Sequence, residues 1–247
     1  MDYTRIEKLR EKLKSMRPLN PTELKRLREE FMVENTYDSN AIEGNTLTLR
    51  ETAMIIKEGI TIAEKPVREH LDAIGHKDAF EHMVYLADKN EPLTERAIKE
   101  LHSLVLMADA LNKGAYRRIP VTILGAAHTP PQPYLVPVQM EALIADYGGM
   151  KKNTHIIEAV AEFHLRFEGI HPFIDGNGRT GRIILNLELI KAGLLPINIK
   201  FRDKNKYYDS FDSYYADGRA PDRLAELISA YETDELLKHI SILEQKI

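Results

Sequence analysis

The chain has no cysteine in its 247 residues, which excludes disulfide scaffolds, cysteine-ligated zinc, iron–sulfur clusters and thiol nucleophiles. A reducing compartment fits that absence. No apolar run approaches the roughly 18 residues that a membrane-spanning helix needs. The opening MDYTRIEKLREKLKSMR alternates charge with isolated apolar residues, so it reads as a helix rather than a secretory signal, and the cytoplasm is the expected location with no membrane partner. Positive charge is not in excess either: the formal net charge is -4, which argues against nucleic acid as a partner. There is no internal repeat, no low-complexity tract and no Gly- or Ser-rich linker. His70, His76, His82 and His102 do not form an i, i+4 HExxH pair, so no histidine metal site is expected and these side chains read as surface or satisfied core residues.

What remains is ordinary globular composition, 43% apolar and 29% charged, in a chain long enough to bury a large core without staples. Asn20-Pro21-Thr22-Glu23 carries a cap residue, a proline for the first helical position and a glutamate placed to reach back, which predicts a helix start. That helix should be long and end at Glu43, before Gly44. Further helices are predicted from near Pro66, from near Thr94, and from Thr154, where Ile157, Val160, Phe163 and Phe167 recur at helical spacing up to Gly169; Ile183, Ile184, Leu187 and Ile190 resume it. Between about 118 and 138 the pattern changes: Ile119, Val121 and Ile123 alternate, a Gly125-Ala126-Ala127-His128 link follows, and prolines lead to Tyr134-Leu135-Val136. These features predict a β-hairpin. The expected architecture is one all-α domain over 1–247 with that small β element: helices over 1–64, a core over 94–200, and carboxy-terminal helices over 201–247.

Between two of these helices lies His171-Pro172-Phe173-Ile174-Asp175-Gly176-Asn177-Gly178-Arg179-Thr180-Gly181-Arg182. Gly176 and Gly178 remove side-chain bulk and let backbone N–H groups line a concavity at a helix start, where the dipole favours an anion. Arg179 and Arg182 fall on one face of the first turns, where positive charge opposes that dipole, so an anionic ligand is expected. Two guanidinium groups beside a backbone nest suit a polyphosphate. Asp175 is placed for the Mg²⁺ that travels with a nucleotide, and His171 for taking a proton from an incoming hydroxyl. A lone Gly-Asn-Gly would be no more than a tight turn.

The run from His171 to Arg182 resembles the signature HxFx(D/E)GNGRxxR of the Fic family at every specified position. The resemblance implies an all-helical fold in which His171 is the general base and Asp175 binds Mg²⁺. It assigns the nucleotide phosphates to Gly176, Asn177, Gly178 and Arg179, and the γ-phosphate to Arg182. The predicted hairpin is similar to the family's flap, which clamps a target protein as an added strand, and this implies that Gly125, Ala126, Ala127 and His128 border the modified side chain. Tyr207-Tyr208 resembles the adenosine-side aromatic pair, while Tyr215 stands where related members often carry Asn. The two tyrosines equally suit an apolar helix face with Phe211.

Ser39-Asn40-Ala41-Ile42-Glu43-Gly44 puts Ser39 and Glu43 on one face of the last turn of a helix, where a carboxylate meets the negative end of the dipole. Glu43 and Arg182 thus both sit at uncompensated helix ends. The segment is similar to the family's (S/T)xxxE(G/N) inhibitory motif, on the amino-terminal side of the core. What the resemblance implies is a protein adenylyltransferase that moves AMP from ATP to a Ser, Thr or Tyr hydroxyl of a target and of itself, restrained by Glu43 pairing with Arg182. Removal of AMP from a modified protein would use the same carboxylate and imidazole and stays open, as does a catalytically silent interaction module. A kinase-like variant, which carries lysine at the second loop glycine, is disfavoured by Gly178. The sequence leaves the target and the oligomeric state open, a homo-oligomer included.

Overall fold

The computed structural model describes residues 1–123, 128–216 and 218–244. In chain order the helices are α1 (Thr4–Ser15), α2 (Pro21–Ile42), α3 (Leu49–Ala53) running into a π-helical turn (Met54–Glu58), α4 (Val67–Asp88), α5 (Glu95–Val105), α6 (Val136–Asn153), α7 (Ile156–Ile170), α8 (Asn177–Lys191), α9 (Lys204–Ala216) and α10 (Asp222–Glu244). Among the described residues, no helix is long and apolar enough to cross a membrane.

The starts follow local chemistry. Asn20 Oδ1 accepts from the backbone N–H of Thr22 and Glu23 at 3.0 and 2.9 Å, while the Glu23 carboxylate accepts from Asn20 N at 2.8 Å. This capping box starts α2 at Pro21. Thr94 Oγ1 accepts from Ala97 N at 3.1 Å and starts α5.

At the centre, α7 and α8 pack on each other, flanked by α4 and α5 on one side and by α6 and α10 on the other, with α1 against α10 and α2 against α4. Ile157, Leu165, Phe167, Phe173, Ile183 and Leu187 are almost fully buried in one apolar cluster that reaches from Tyr3 to Leu236. The second half of α2 is buried but polar: Asn35, Thr36, Asp38, Ser39 and Asn40 are all under 7% exposed. Each needs a partner in a place where an unpaired polar group is costly. Asn35 donates to Asn198 Oδ1 at 3.3 Å, Asn198 donates to Asp38 Oδ2 at 2.7 Å, and Thr36 bonds His76 Nδ1 at 3.1 Å. These bonds dock the end of α2 on α4 and on the link that follows α8.

The hairpin expected over about 118–138 is corrected by the structure. No described residue is in a strand. Pro120, Pro130, Pro131 and Pro133 lack the N–H that a ladder needs. The two arms are joined instead by a side chain, with Arg117 donating to Ile119 O at 3.2 Å and to Pro131 O at 2.6 Å. Pro133–Leu135 forms a 3₁₀ turn and Val136 opens α6. Gly125, Ala126 and Ala127 lie outside the described residues.

Glu232 of α10 is fully buried, and its Oε1 accepts from Leu195 N at 3.0 Å. Burial pushes its pKa up from 4.5 to about 8. The folded state therefore holds this proton where the unfolded chain has released it, so its contribution is complete below 4.5 and is lost as pH rises toward about 8. Glu232→Gln keeps an acceptor for Leu195 N and cannot ionise. The expected outcome is a flatter fall of the urea midpoint across that pH window than in the parent; parallel curves would show that Glu232 does not carry the slope.

Candidate active site

α7 ends at Ile170, and His171 follows in the left-handed conformation, φ 49° and ψ 61°, with its N–H on Phe167 O at 3.0 Å. That closes the helix and turns the chain. Asn177 then shapes the loop: its Oδ1 accepts from Phe173 N and its Nδ2 donates to Phe173 O, both at 2.9 Å. Phe173 is buried and stacks on His102, centroids 3.6 Å apart. His102 Nδ1 accepts from Gly114 N and Nε2 lies 2.9 Å from Asp175 O. The ring is therefore the neutral Nε2–H tautomer, a satisfied core histidine that supports the loop, and burial holds its pKa down to about 4. Gly176 caps α8 at φ 77°, where a side chain would be strained. Beyond it, the first N–H groups of α8 have no intrahelical acceptor.

Glu43 is the C-cap of α2. It accepts from Arg182 Nη2 at 2.7 Å through Oε1, and Arg182 also donates to Ser39 Oγ at 3.0 Å and Ser39 O at 2.8 Å. Arg182 Nη1 lies 3.4 Å from Tyr207 Oη. The guanidinium is buried, while the Glu43 side chain keeps 35% exposure. Glu43 lies directly above Gly178: a Cβ on that residue would come within 2.3 Å of Oε1.

Glu43, His128, His171, Gly178, Arg182, Tyr207 and Tyr208 line one cavity of about 350 Å³, together with Ile123, Glu168, Phe211 and Asp212. This is the size of a small-ligand site. The other sequence-named residues lie elsewhere. Ser39 is buried behind Arg182. Arg179 is 3% exposed and donates to Asp72 Oδ1 of α4 at 2.6 Å, so its charge is committed within the protein. Asp175 is on the rim: Oδ1 accepts from Gly176 N at 2.6 Å, and Oδ2 pairs with the exposed Arg68. Tyr215 stacks on His128 at 3.8 Å and donates to Leu165 O at 3.2 Å.

The electrostatics keep the imidazole neutral. Burial, reinforced by Arg117, holds the His171 pKa down to about 4, although the Glu168 carbonyl and Glu43 act in the opposite sense. A neutral ring is the form that accepts a proton. Glu168, one turn before His171, is pushed up to about 8 by burial and by Glu43, against the pull of Arg182. Its Oε1 is buried with no hydrogen-bond partner among the described residues. Sequence reading missed Glu168, although a carboxylate among the apolar residues of α7 was a visible anomaly. It also missed Arg117, whose partners are revealed only by the folded chain.

The match to known proteins covers both the loop and the body. The Fic/DOC family profile matches residues 92–189. The chain is 37% identical over 209 residues to the protein adenylyltransferase Fic of Nematostella vectensis, covering 83% of this chain and 48% of that protein. It is 32% identical over 214 residues to the protein of the same name in Aedes aegypti, covering 85% and 42%. The chain thus spans about half the length of the curated relatives it matches. Among solved structures, a Fic domain-containing signaling protein from Bacteroides thetaiotaomicron superposes with a TM-score of 0.89 at 30% identity, over 98% of both chains. Fic-1 from C. elegans gives 0.83 at 27% identity, over 96% of this chain and 70% of that one. With its signature loop, its helical body and a relative aligned along nearly its whole length, the chain belongs to the Fic/DOC family.

Proposed function

We propose that the chain transfers AMP from ATP to a protein hydroxyl, and that Glu43 restrains this reaction by occupying the place of the γ-phosphate. The observation that carries the reading is the Glu43–Arg182 pair at 2.7 Å, set above Gly178 in the cavity that also holds His171. A carboxylate held by a buried guanidinium over a helix N-terminus stands in for an anion of the same geometry.

The target hydroxyl loses its proton to the neutral His171 ring as its oxygen attacks the α-phosphorus of ATP. The bond to the bridging oxygen breaks, and pyrophosphate leaves with the electron pair. Once Glu43 swings aside, the first N–H groups of α8 and Arg182 neutralise the phosphate chain. Tyr208, 39% exposed, and Phe211 offer apolar surface on the side suited to adenosine.

Asp175 fits a divalent cation shared with phosphates: it is the carboxylate of the loop, it is half-exposed, and its charged partners are the exposed Arg68 at Oδ2 and Arg179 at 3.4 Å from Oδ1. The described residues contain no group of three metal-ligating side chains, as suits an Mg²⁺ that keeps waters and phosphate oxygens as its other ligands. When bound, the ion would neutralise charge on the leaving phosphates. The target is read as a protein segment lying beside the stretch expected to act as the flap, over about 118–138, and the working location as the cytoplasm. Hydrolytic removal of AMP is the second reading, favoured by Glu43 and His171 facing one cavity, where the carboxylate could orient a water.

Glu43→Gly should raise incorporation of α-labelled ATP, into targets and into the chain itself, by about tenfold if the pair disfavours the competent pose by about 1.4 kcal/mol. The variant should fold, because Arg182 keeps Ser39 and Tyr207 as partners. Arg182→Ala should be inactive, alone or combined with Glu43→Gly, since the phosphate loses its own partner. Unchanged transfer in Glu43→Gly would defeat the autoinhibition, and loss of AMP removal together with a gain of transfer would give Glu43 the hydrolytic role.

His171→Ala should abolish transfer while leaving nucleotide affinity near that of the parent. The His171 ring, assigned by NMR through the resonances lost in that variant, should titrate well below the ordinary 6.5. A midpoint at or above that value would mean that burial does not hold the base neutral.

A further inference from the structure

Arg117 lies in the irregular stretch between α5 and α6 and is 4% exposed. Its backbone N–H donates to Pro172 O at 2.9 Å. Its side chain spreads over carbonyl groups: Nε donates to His171 O at 2.8 Å, Nη1 to Ile119 O at 3.2 Å, and Nη2 to Pro131 O at 2.6 Å and Ile170 O at 3.3 Å. Burial depresses its pKa, and it forms no ion pair with a carboxylate among the described residues. A buried cation without a carboxylate is costly unless dipoles compensate it. The planar, five-donor fork of arginine is the side chain able to serve several carbonyls at once.

The identity of those carbonyls matters. Two belong to the end of α7, on Ile170 and on His171 itself, and two belong to the arms of the connection, on Ile119 and Pro131. His171 holds a φ of 49°, a conformation that a residue with a side chain keeps only when its surroundings over-determine it. Its N–H is fixed by Phe167 O and its carbonyl by Arg117. The Cα–Cβ bond that carries the ring inherits its direction from both, and ring Nδ1 lies 3.3 Å from Glu168 O.

We propose that Arg117 is a positioning residue for the transfer step: it locks the His171 backbone to the two arms that flank the target, and so sets the imidazole against the incoming hydroxyl. This rests on His171 acting as the base of adenylyl transfer. The guanidinium makes no hydrogen bond to residues 176–182 among the described residues, so its direct hold is on the His171 turn and not on the nucleotide cradle.

Arg117→Lys and Arg117→Gln, each in the Glu43→Gly chain, test the assignment. Lysine keeps the charge and most of the bulk but cannot reach all the carbonyls; glutamine keeps two donors without charge. Because a misplacement of the base by about 1 Å can slow a reaction on the order of 100-fold, kcat for α-labelled AMP transfer should fall by about that factor. KM for ATP should stay close to that of the parent. The His171 ring resonances and their titration should shift, in a chain whose far-UV circular dichroism matches the parent. Unchanged kcat and unmoved His171 resonances in a folded variant would overturn the proposal. A parallel loss of ATP affinity would also overturn it, making Arg117 a general support of the fold. If the Glu43→Gly chain itself transfers no AMP, the functional reading fails, while the His171 resonances still decide whether Arg117 sets the ring.

Discussion

The burial of the Arg182 guanidinium imposes the main constraint on this structure. Arg182 lies in the second turn of α8, near the end of the helix that repels a cation, so its partners must come from other helices. α2 supplies the Ser39 hydroxyl and carbonyl and the Glu43 carboxylate, and α9 supplies the Tyr207 hydroxyl. That requirement explains why the second half of α2 is polar although buried. Asp38, Asn35 and Thr36 spend their hydrogen bonds on Asn198 and His76, and this holds the last turn of α2, with Glu43, over the start of α8.

Around that cation burial holds His76, His164 and Glu168 in their neutral forms. His164 and His76 are pushed down to about 3, by burial first and by Arg182 next. Glu168 is pushed up to about 8 by burial. A low-dielectric wall of neutral groups strengthens the field of Arg182 at the cavity. An anion entering there, whether the Glu43 carboxylate or a phosphate, meets a preorganised partner rather than a screened one. Competition between two such anions for one guanidinium is the physical form of the restraint on Glu43.

Two helix starts were legible from the chemistry of their ends, whereas the equally complete Thr48–Glu51 capping box that opens α3 was not read. The Asn20–Glu23 box and Thr94 start α2 and α5 at the positions their side chains suggest. Gly176, read as freeing backbone N–H groups at a helix start, caps α8 at φ 77°. α6 was not legible, because Pro137 and the Gly148-Gly149 pair look like breakers, whereas Pro137 is in the first turn, where proline is at home. The expected hairpin misled for a related reason. Alternation at Ile119, Val121 and Ile123 signals extended chain, but a strand also needs a donor-bearing partner, and the opposite arm is built of prolines.

The sequence by itself determined which residues gather in the loop after α7, how that loop turns, and that both Glu43 and Arg182 sit at helix ends that do not want their charge. These follow from interactions between residues a few positions apart. Tertiary structure decided where each charge goes. It turns Arg179 away to Asp72, 107 positions distant, brings Glu43 to Arg182 across 139 positions, and sets Arg117 on the carbonyls of the His171 turn. The reason is burial: once a charge leaves water its nearest polar groups must satisfy it, and packing of distant helices, not local pattern, determines which groups those are.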